Sequence, residues 1–152
     1  KGQNKAFVAG VGGLFVKALR EAKSDLPKSE IMNALRLVGE DMRQQPAKER
    51  VLFLISDMLE HSDYTSFYAS DKISNLNVDK ELKLAGDKHL FADLDQARVY
   101  VAGAGLVTDK VKHAYRSGKT MGLINDFWKN YFTSSNASLE AFGAPSLNVD
   151  LH

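Results

Sequence analysis

The sequence predicts an α/β domain built on a parallel sheet, and three short segments carry that prediction. Residues 51–55 are continuously apolar and end in Ser56-Asp57, which is typical of a central strand covered on both faces. Residues 99–103 repeat this pattern, and residues 138–142, just before Gly143-Ala-Pro145, can supply a third strand. Because helical patterns separate the three runs, the predicted order is β-α-β-α-β. Right-handed crossovers then place the strands side by side in one parallel sheet.

Four helices are predicted around these strands from the spacing of their apolar residues. The first covers about residues 4–22 and is weakened by three internal glycines. The second begins after Ser29, which is placed to cap it, and ends before Pro46. A crossover helix lies within residues 78–94, and the last helix covers about 119–134. That last helix carries a bulky face predicted to be buried: Ile124, Phe127, Trp128, Tyr131 and Phe132.

Length and composition limit the classes of protein that the chain can represent. Its 152 residues are enough for one domain, and 44% apolar with 26% charged residues is typical of a globular fold. A formal net charge of +1 argues against a dedicated nucleic-acid binder. The absence of cysteine excludes disulfides, thiolate metal sites and cysteine nucleophiles. The apolar run at 6–16 is too short to span a bilayer.

Two glycine patterns superficially match nucleotide-binding motifs. Gly103-Ala-Gly105 follows a strand, as a dinucleotide fingerprint does, but Thr108 stands where the third glycine belongs. Gly118-Lys119-Thr120 matches the end of a phosphate-binding loop, but the first glycine of that motif is replaced by His113. We interpret both as structural.

Two clusters of polar residues are candidates for ligand binding. Asp57, Glu60, His61 and Asp63 follow the first strand, at the end of the sheet where open α/β proteins bind ligands. A basic cluster follows the second strand and is suited to phosphate or to an acidic partner. Its members are Lys110, Lys112, His113, Arg116 and Lys119. A solvated charged surface is the competing interpretation of both clusters.

Catalysis finds little support in the sequence. The four histidines are scattered, and neither an HExxH nor a GxSxG motif is present to pair them with a metal or a nucleophile. The sequence therefore favours binding over an enzymatic role.

Several segments resemble a von Willebrand factor A domain. Lys-Ser-Glu-Ile-Met-Asn-Ala-Leu at 28–35 and Arg-Val-Leu-Phe-Leu-Ile-Ser-Asp at 50–57 are similar to the helix before the fourth strand of that family and to the strand itself. Residues 99–103 resemble the fifth strand. Residues 126–142, together with Ser66-Phe67-Tyr68, are similar to a poorly characterised bacterial branch. The resemblance covers about residues 28–143.

The resemblance implies a three-layer, Rossmann-like sheet with a metal-ion-dependent adhesion site at the carboxyl ends of the strands. Ser29 matches the hydroxyl ligand of that site and Asp57 the carboxylate at the strand end. The family's Asp-x-Ser-x-Ser motif is absent, and Met58 stands in place of a glycine. Since Mg²⁺ requires near-octahedral oxygen coordination, the resemblance implies at most a partial site with weak affinity.

The missing motif has two explanations. The chain is either the later part of a longer protein whose first strands lie elsewhere, or a degenerate relative that binds no metal. In the family the first strand lies beside the fourth, so a chain without it leaves the edge of strand 51–56 unpaired. We therefore expect that edge to be covered by a separate segment of the original protein or by a second copy.

The sequence as a whole predicts a protein-interaction module with candidate metal ligands Ser29 and Asp57 and candidate ligand-binding residues Glu60, His61 and Asp63. The alternative is a small α/β enzyme or regulator that binds a phosphorylated ligand near Asp57 and the 110–119 basic cluster.

Overall fold

The computed structural model describes residues 28–68, 74–107, 114–115 and 118–143. The helix predicted at 4–22 lies outside these ranges. Three helices and five strands occur among the described residues. In chain order they are α1 (Ile31–Gln44), β1 (Val51–Ile55), α2 (Val78–Asp87), β2 (Ala97–Ala102), β3 (Leu106–Val107), β4 (Ala114–Tyr115), α3 (Gly118–Ser134) and β5 (Ala137–Gly143).

The main sheet has three parallel strands in the order β1-β2-β5. Phe53 of β1 is opposite Tyr100 of β2, and Val99 of β2 is opposite Leu139 of β5. β3 and β4 form a separate antiparallel ladder. The predicted parallel pairing of the 51–55 and 99–103 runs is confirmed, and the fold is a Rossmann-like α/β fold. The prediction that the 51–55 strand is central is wrong for the described sheet, in which β2 is central and β1 lies at the edge.

α1 forms because its apolar residues recur at helical spacing and bury one face, which includes Met32 and Leu35. Gly39 belongs to that face, and a Cβ there would lie 2.6 Å from the carbonyl oxygen of Asp93. The prediction that Ser29 caps α1 is wrong. Glu30 occupies the N-cap position without a side-chain cap, and the amide of Met32 donates instead to Oε2 of Glu60 at 3.1 Å.

α2 begins with a conventional cap, because the side chain of Asn77 accepts a hydrogen bond from the amide of Lys80 at 3.0 Å. Asp79 and Glu81 lie in its first turn, where negative charge is favourable. The helix ends at Asp87, earlier than the predicted stretch to residue 94, because His89 adopts a left-handed backbone with φ of 55°.

The hydrophobic core lies between the three helices and one face of the sheet. That face presents Leu52 and Leu54 of β1 beside Val99 and Val101 of β2. The aromatic side chains of α3 are completely buried in this core, which confirms the predicted buried face: Phe127, Trp128, Tyr131 and Phe132. No helix in the described ranges is both long and apolar enough to cross a lipid bilayer.

The opposite face of β1 is exposed. Val51, Phe53 and Ile55 retain 42%, 47% and 56% of their accessible surface, whereas Tyr100 is buried and its ring stacks on Phe53 at 5.3 Å. The prediction of a strand covered on both faces is therefore wrong for β1. The buried side chains of α1, α2 and α3 all join the core on the first face, so the described structure contains one helical layer.

Candidate functional site

The candidate site is the loop of residues 56–67, which starts at the carboxyl end of β1. Its first turn is built from local side-chain contacts. Oγ of Ser56 accepts from the amide of Met58, and Oδ1 of Asp57 accepts from the amide of Leu59, both at 3.0 Å. Short polar side chains commonly stabilise turns in this way.

Met58 fixes the position of this loop over the core. It is completely buried and has a left-handed backbone with φ of 57°, a conformation that glycine adopts most easily. Its carbonyl oxygen accepts a hydrogen bond from Nε1 of Trp128 at 2.8 Å. The loop is therefore tied to α3.

The glycines that follow β2 hold this strand end close to the loop. The amide of Gly105 donates to the carbonyl of Asp57 at 2.8 Å, and both Gly103 and Gly105 have positive φ angles. A Cβ on Gly103 would lie 3.3 Å from the carbonyl oxygen of Ser56, and one on Gly105 would collide with Sδ of Met121. These contacts support the structural interpretation of the Gly-Ala-Gly sequence.

Asp57, one of the two expected metal ligands, already uses both carboxylate oxygens. Oδ1 binds the amide of Leu59, and Oδ2 accepts from the hydroxyl of Tyr68 at 2.9 Å. The parts of the chain that the structure describes contain no group of three or more histidine, aspartate or glutamate residues suited to a metal ion. With Ser29, Asp57 offers two side-chain ligands, and Mg²⁺ held by so few protein oxygens keeps several waters, so a partial site of weak affinity stays a prediction.

Glu60 is a structural residue in this arrangement, because it is completely buried and contacts the start of α1. Oε2 binds the amide of Met32, so the carboxyl caps α1 from a segment 28 residues away. Among the described residues, Oε1 has no hydrogen-bond partner. Burial raises the pKa of Glu60, and the amide of Met32 lowers it by a smaller amount.

Ser29 and His61 form a backbone bridge that joins the start of α1 to the loop. Each amide donates to the other residue's carbonyl at 2.9 Å. Nδ1 of His61 lies 2.9 Å from Oγ of Ser66, and the His61 ring contacts the edge of the Tyr68 ring. The bridge places both expected metal-ligand segments at the same end of the sheet.

Asp63 lies at the solvent-exposed part of the loop. It forms an ion pair with Lys28 at 2.6 Å, and its side chain is 78% exposed. The hydrogen bond to Asp63 raises the pKa of Lys28. An exposed pair of this kind contributes little to stability. Because most of its side chain is exposed, Asp63 is accessible to a ligand.

Sequence reasoning missed Tyr68 and Ser66 as members of this site. Ser66-Phe67-Tyr68 has an ordinary loop composition, and no spacing rule connects Tyr68 to a carboxylate eleven residues earlier. Their contacts with Asp57 and His61 depend on how the loop returns toward β1, which only the folded chain shows.

A cavity of about 430 Å³ adjoins the loop on the side of α2. Tyr64, Thr65 and Ser66 form one wall, and Asn77 and Lys80 of the α2 start form another. A second cavity of about 480 Å³ lies at the amino ends of β1 and β2, where Arg50, Asp95 and Arg98 are among its lining residues. Neither cavity contains the predicted metal ligands.

The predicted basic cluster is largely outside the described structure. Only Lys119 falls within the described ranges, where it is exposed in the first turn of α3. The other four members, from Lys110 to Arg116, do not.

Comparison with known proteins gives no match to a family model, to a curated protein or to a solved structure. The functional assignment consequently depends on the geometry of the chain itself.

Proposed function

We propose that the chain is a protein-interaction module of the von Willebrand factor A type, and that its partner binds along β1. The observation that carries this proposal is the exposed apolar face of that strand. Val51, Phe53 and Ile55 are alternate residues on one face, and each retains roughly half of its accessible surface. Parallel sheets normally have both faces covered, so such a face favours a partner.

The backbone of β1 supports the same proposal. Among the described residues β1 pairs only with β2, which leaves its second edge without a strand partner. The sequence Val-Leu-Phe-Leu-Ile carries neither the charges nor the proline with which proteins commonly protect an edge. An extended segment that adds to this edge gains backbone hydrogen bonds, and the exposed side chains select its apolar residues.

The loop after β1 extends this surface. It begins where β1 ends and carries Asp57, His61 and Asp63, of which Asp63 is the most exposed. At most a partial metal site remains at Ser29 and Asp57, and the proposed interaction along β1 does not require a metal.

The phosphorylated-ligand alternative stays a prediction. Its basic cluster lies almost entirely outside the described residues, and no described contact favours phosphate at Asp57.

Selection from a displayed library of random peptides tests the proposed function. We expect the chain to enrich peptides with alternating apolar residues, because these pair with the β1 edge and place their apolar side chains beside Val51, Phe53 and Ile55. Ile55→Lys should reduce this enrichment at least tenfold. Leu37→Lys is the matched control, since Leu37 is an exposed apolar residue of α1 with 51% of its surface accessible. Equal enrichment by both variants would contradict binding along β1.

A further inference from the structure

We infer that the partner of β1 is a second copy of this chain, paired antiparallel about a two-fold axis at Phe53. The inference rests on the proposed function, because it names the partner for the same strand. In the resulting dimer the two three-stranded sheets join through β1 into one six-stranded sheet.

The residue order of β1 carries this inference. Val-Leu-Phe-Leu-Ile has the same pattern in both directions, with a β-branched residue at each end, a leucine inside each end and Phe53 at the centre. Antiparallel pairing with Phe53 opposite the partner's Phe53 places Val51 opposite the partner's Ile55. Aromatic and β-branched pairs of this kind stabilise neighbouring strands. A two-fold interface requires such self-complementarity, whereas an unrelated partner does not.

This register also keeps the exposed faces together. Directly opposed residues of antiparallel strands point to the same side of the sheet, so the exposed side chains of both copies form one continuous apolar surface. In each copy the ring of Phe53 is already stacked on Tyr100, which supports the centre of that surface from β2.

Charge and area determine how strong this dimer is. A formal net charge of +1 causes little repulsion between copies. At each end, however, the register places Glu49 opposite the partner's Asp57, and like charges in opposed positions weaken pairing. Three half-exposed side chains and one strand edge also fall well below the roughly 800 Å² per partner of a standard interface. We therefore expect a weak dimer whose population rises with concentration.

Sedimentation equilibrium and cysteine cross-linking test the inference. The chain has no cysteine, so each introduced cysteine is the only thiol that can cross-link. The unmodified chain should sediment as a concentration-dependent monomer–dimer mixture. Opposed Cα atoms of antiparallel strands lie about 4.5–5.5 Å apart, a separation that a disulfide can span. Phe53→Cys should therefore form a disulfide-linked dimer under mild oxidation.

Three further cysteine variants determine the register. Val51→Cys should not link to itself, since the two copies of that residue are four positions apart, about 13 Å. A mixture of Val51→Cys and Ile55→Cys should give the mixed dimer. Leu37→Cys, on α1, should stay monomeric. Equal cross-linking by Phe53→Cys, Val51→Cys and Leu37→Cys would show random collision and overturn the register.

A charge variant provides an independent measurement in the otherwise unmodified chain. Glu49→Gln removes the like charge opposite the partner's Asp57 and should lower the Kd of the dimer about twofold or more. An unchanged Kd would contradict the pairing of these two positions.

The inference and the proposed function can fail separately. If the chain is monomeric at every concentration but still selects peptides in an Ile55-dependent manner, the partner of β1 is not a second copy. The proposal that β1 binds a partner is then retained. A monomer that selects no peptides overturns both, and this is also the result expected if another segment of the same chain covers β1.

Discussion

The indole Nε1 of Trp128 donates a 2.8 Å hydrogen bond to the carbonyl oxygen of Met58, seventy residues earlier in the chain. Both residues are completely buried. Met58 lies in the first turn after β1, and Trp128 lies in the aromatic face of α3. The hydrogen bond therefore couples the packing of the last helix to the loop that carries the candidate site.

Substitution of Trp128 should show how strongly this coupling stabilises the fold. Trp128→Phe keeps an aromatic ring but leaves the buried Met58 carbonyl without its donor, so we expect a loss of about 1–3 kcal/mol in the free energy of unfolding. Trp128→Ala also leaves a cavity and should cost about 3–5 kcal/mol. Urea unfolding measures both, with Leu37→Ala as the exposed control within about 0.5 kcal/mol of the unmodified chain. A negligible effect of Trp128→Ala would show that this side chain is not part of the core.

Substitution by alanine at two helical glycines should change the stability of the fold in opposite directions. A Cβ at Gly122 of α3 has no atom within 4 Å, so Gly122→Ala should stabilise the fold by about 0.5–1 kcal/mol through helix propensity. At Gly39 of α1 the same Cβ would lie 2.6 Å from the Asp93 carbonyl oxygen, which is backbone and cannot rotate away. Overpacking of this kind costs about 1–3 kcal/mol. Thermal unfolding should therefore give shifts of opposite direction, and a rise in both melting temperatures would contradict the close contact at Gly39.

The strands and the last helix could be predicted because their signals are local. The segments predicted as strands at 51–55, 99–103 and 138–142 each form a strand, and the spacing of Phe127, Trp128 and Tyr131 indicated the buried face of α3. These patterns depend only on residues that are near neighbours in sequence. They can therefore be interpreted from the sequence without knowing which segments pack against them.

The errors concern contacts between distant segments. A serine before a helix predicts a cap, but Glu60 takes that role for α1 from a different part of the chain. A continuous apolar run predicts a strand without showing which of its faces is covered, so the exposure of Phe53 could not be seen in advance. The contact between Asp57 and Tyr68 could not be predicted for the same reason, since it requires Tyr68 to return to the strand end.

Magnesium titration tests the expected metal site directly. Because the Asp57 carboxylate is engaged by Leu59 and Tyr68, we expect no saturable binding of Mg²⁺ in the millimolar range by calorimetry. Asp57→Ala should behave like the unmodified chain. Saturable heat that disappears only in Asp57→Ala would instead show that the loop opens to bind the ion.

The pH dependence of stability should identify Glu60 as a buried acid. Burial raises its pKa in the folded chain above the ordinary value of 4.5, and the nearby charge of Glu30 adds to the rise. A folded state that holds its proton more tightly than the unfolded state loses stability as pH increases from the unfolded pKa through the folded one.

Glu60→Gln keeps an acceptor for the amide of Met32 but cannot ionise. Its free energy of unfolding, relative to the unmodified chain, should therefore increase between acidic and neutral pH. Leu37→Ala, an exposed change that removes no ionisable group, should show no such gain. Parallel pH curves for Glu60→Gln and the unmodified chain would mean that Glu60 ionises without cost in the folded state, and the buried cap of α1 would have to be abandoned.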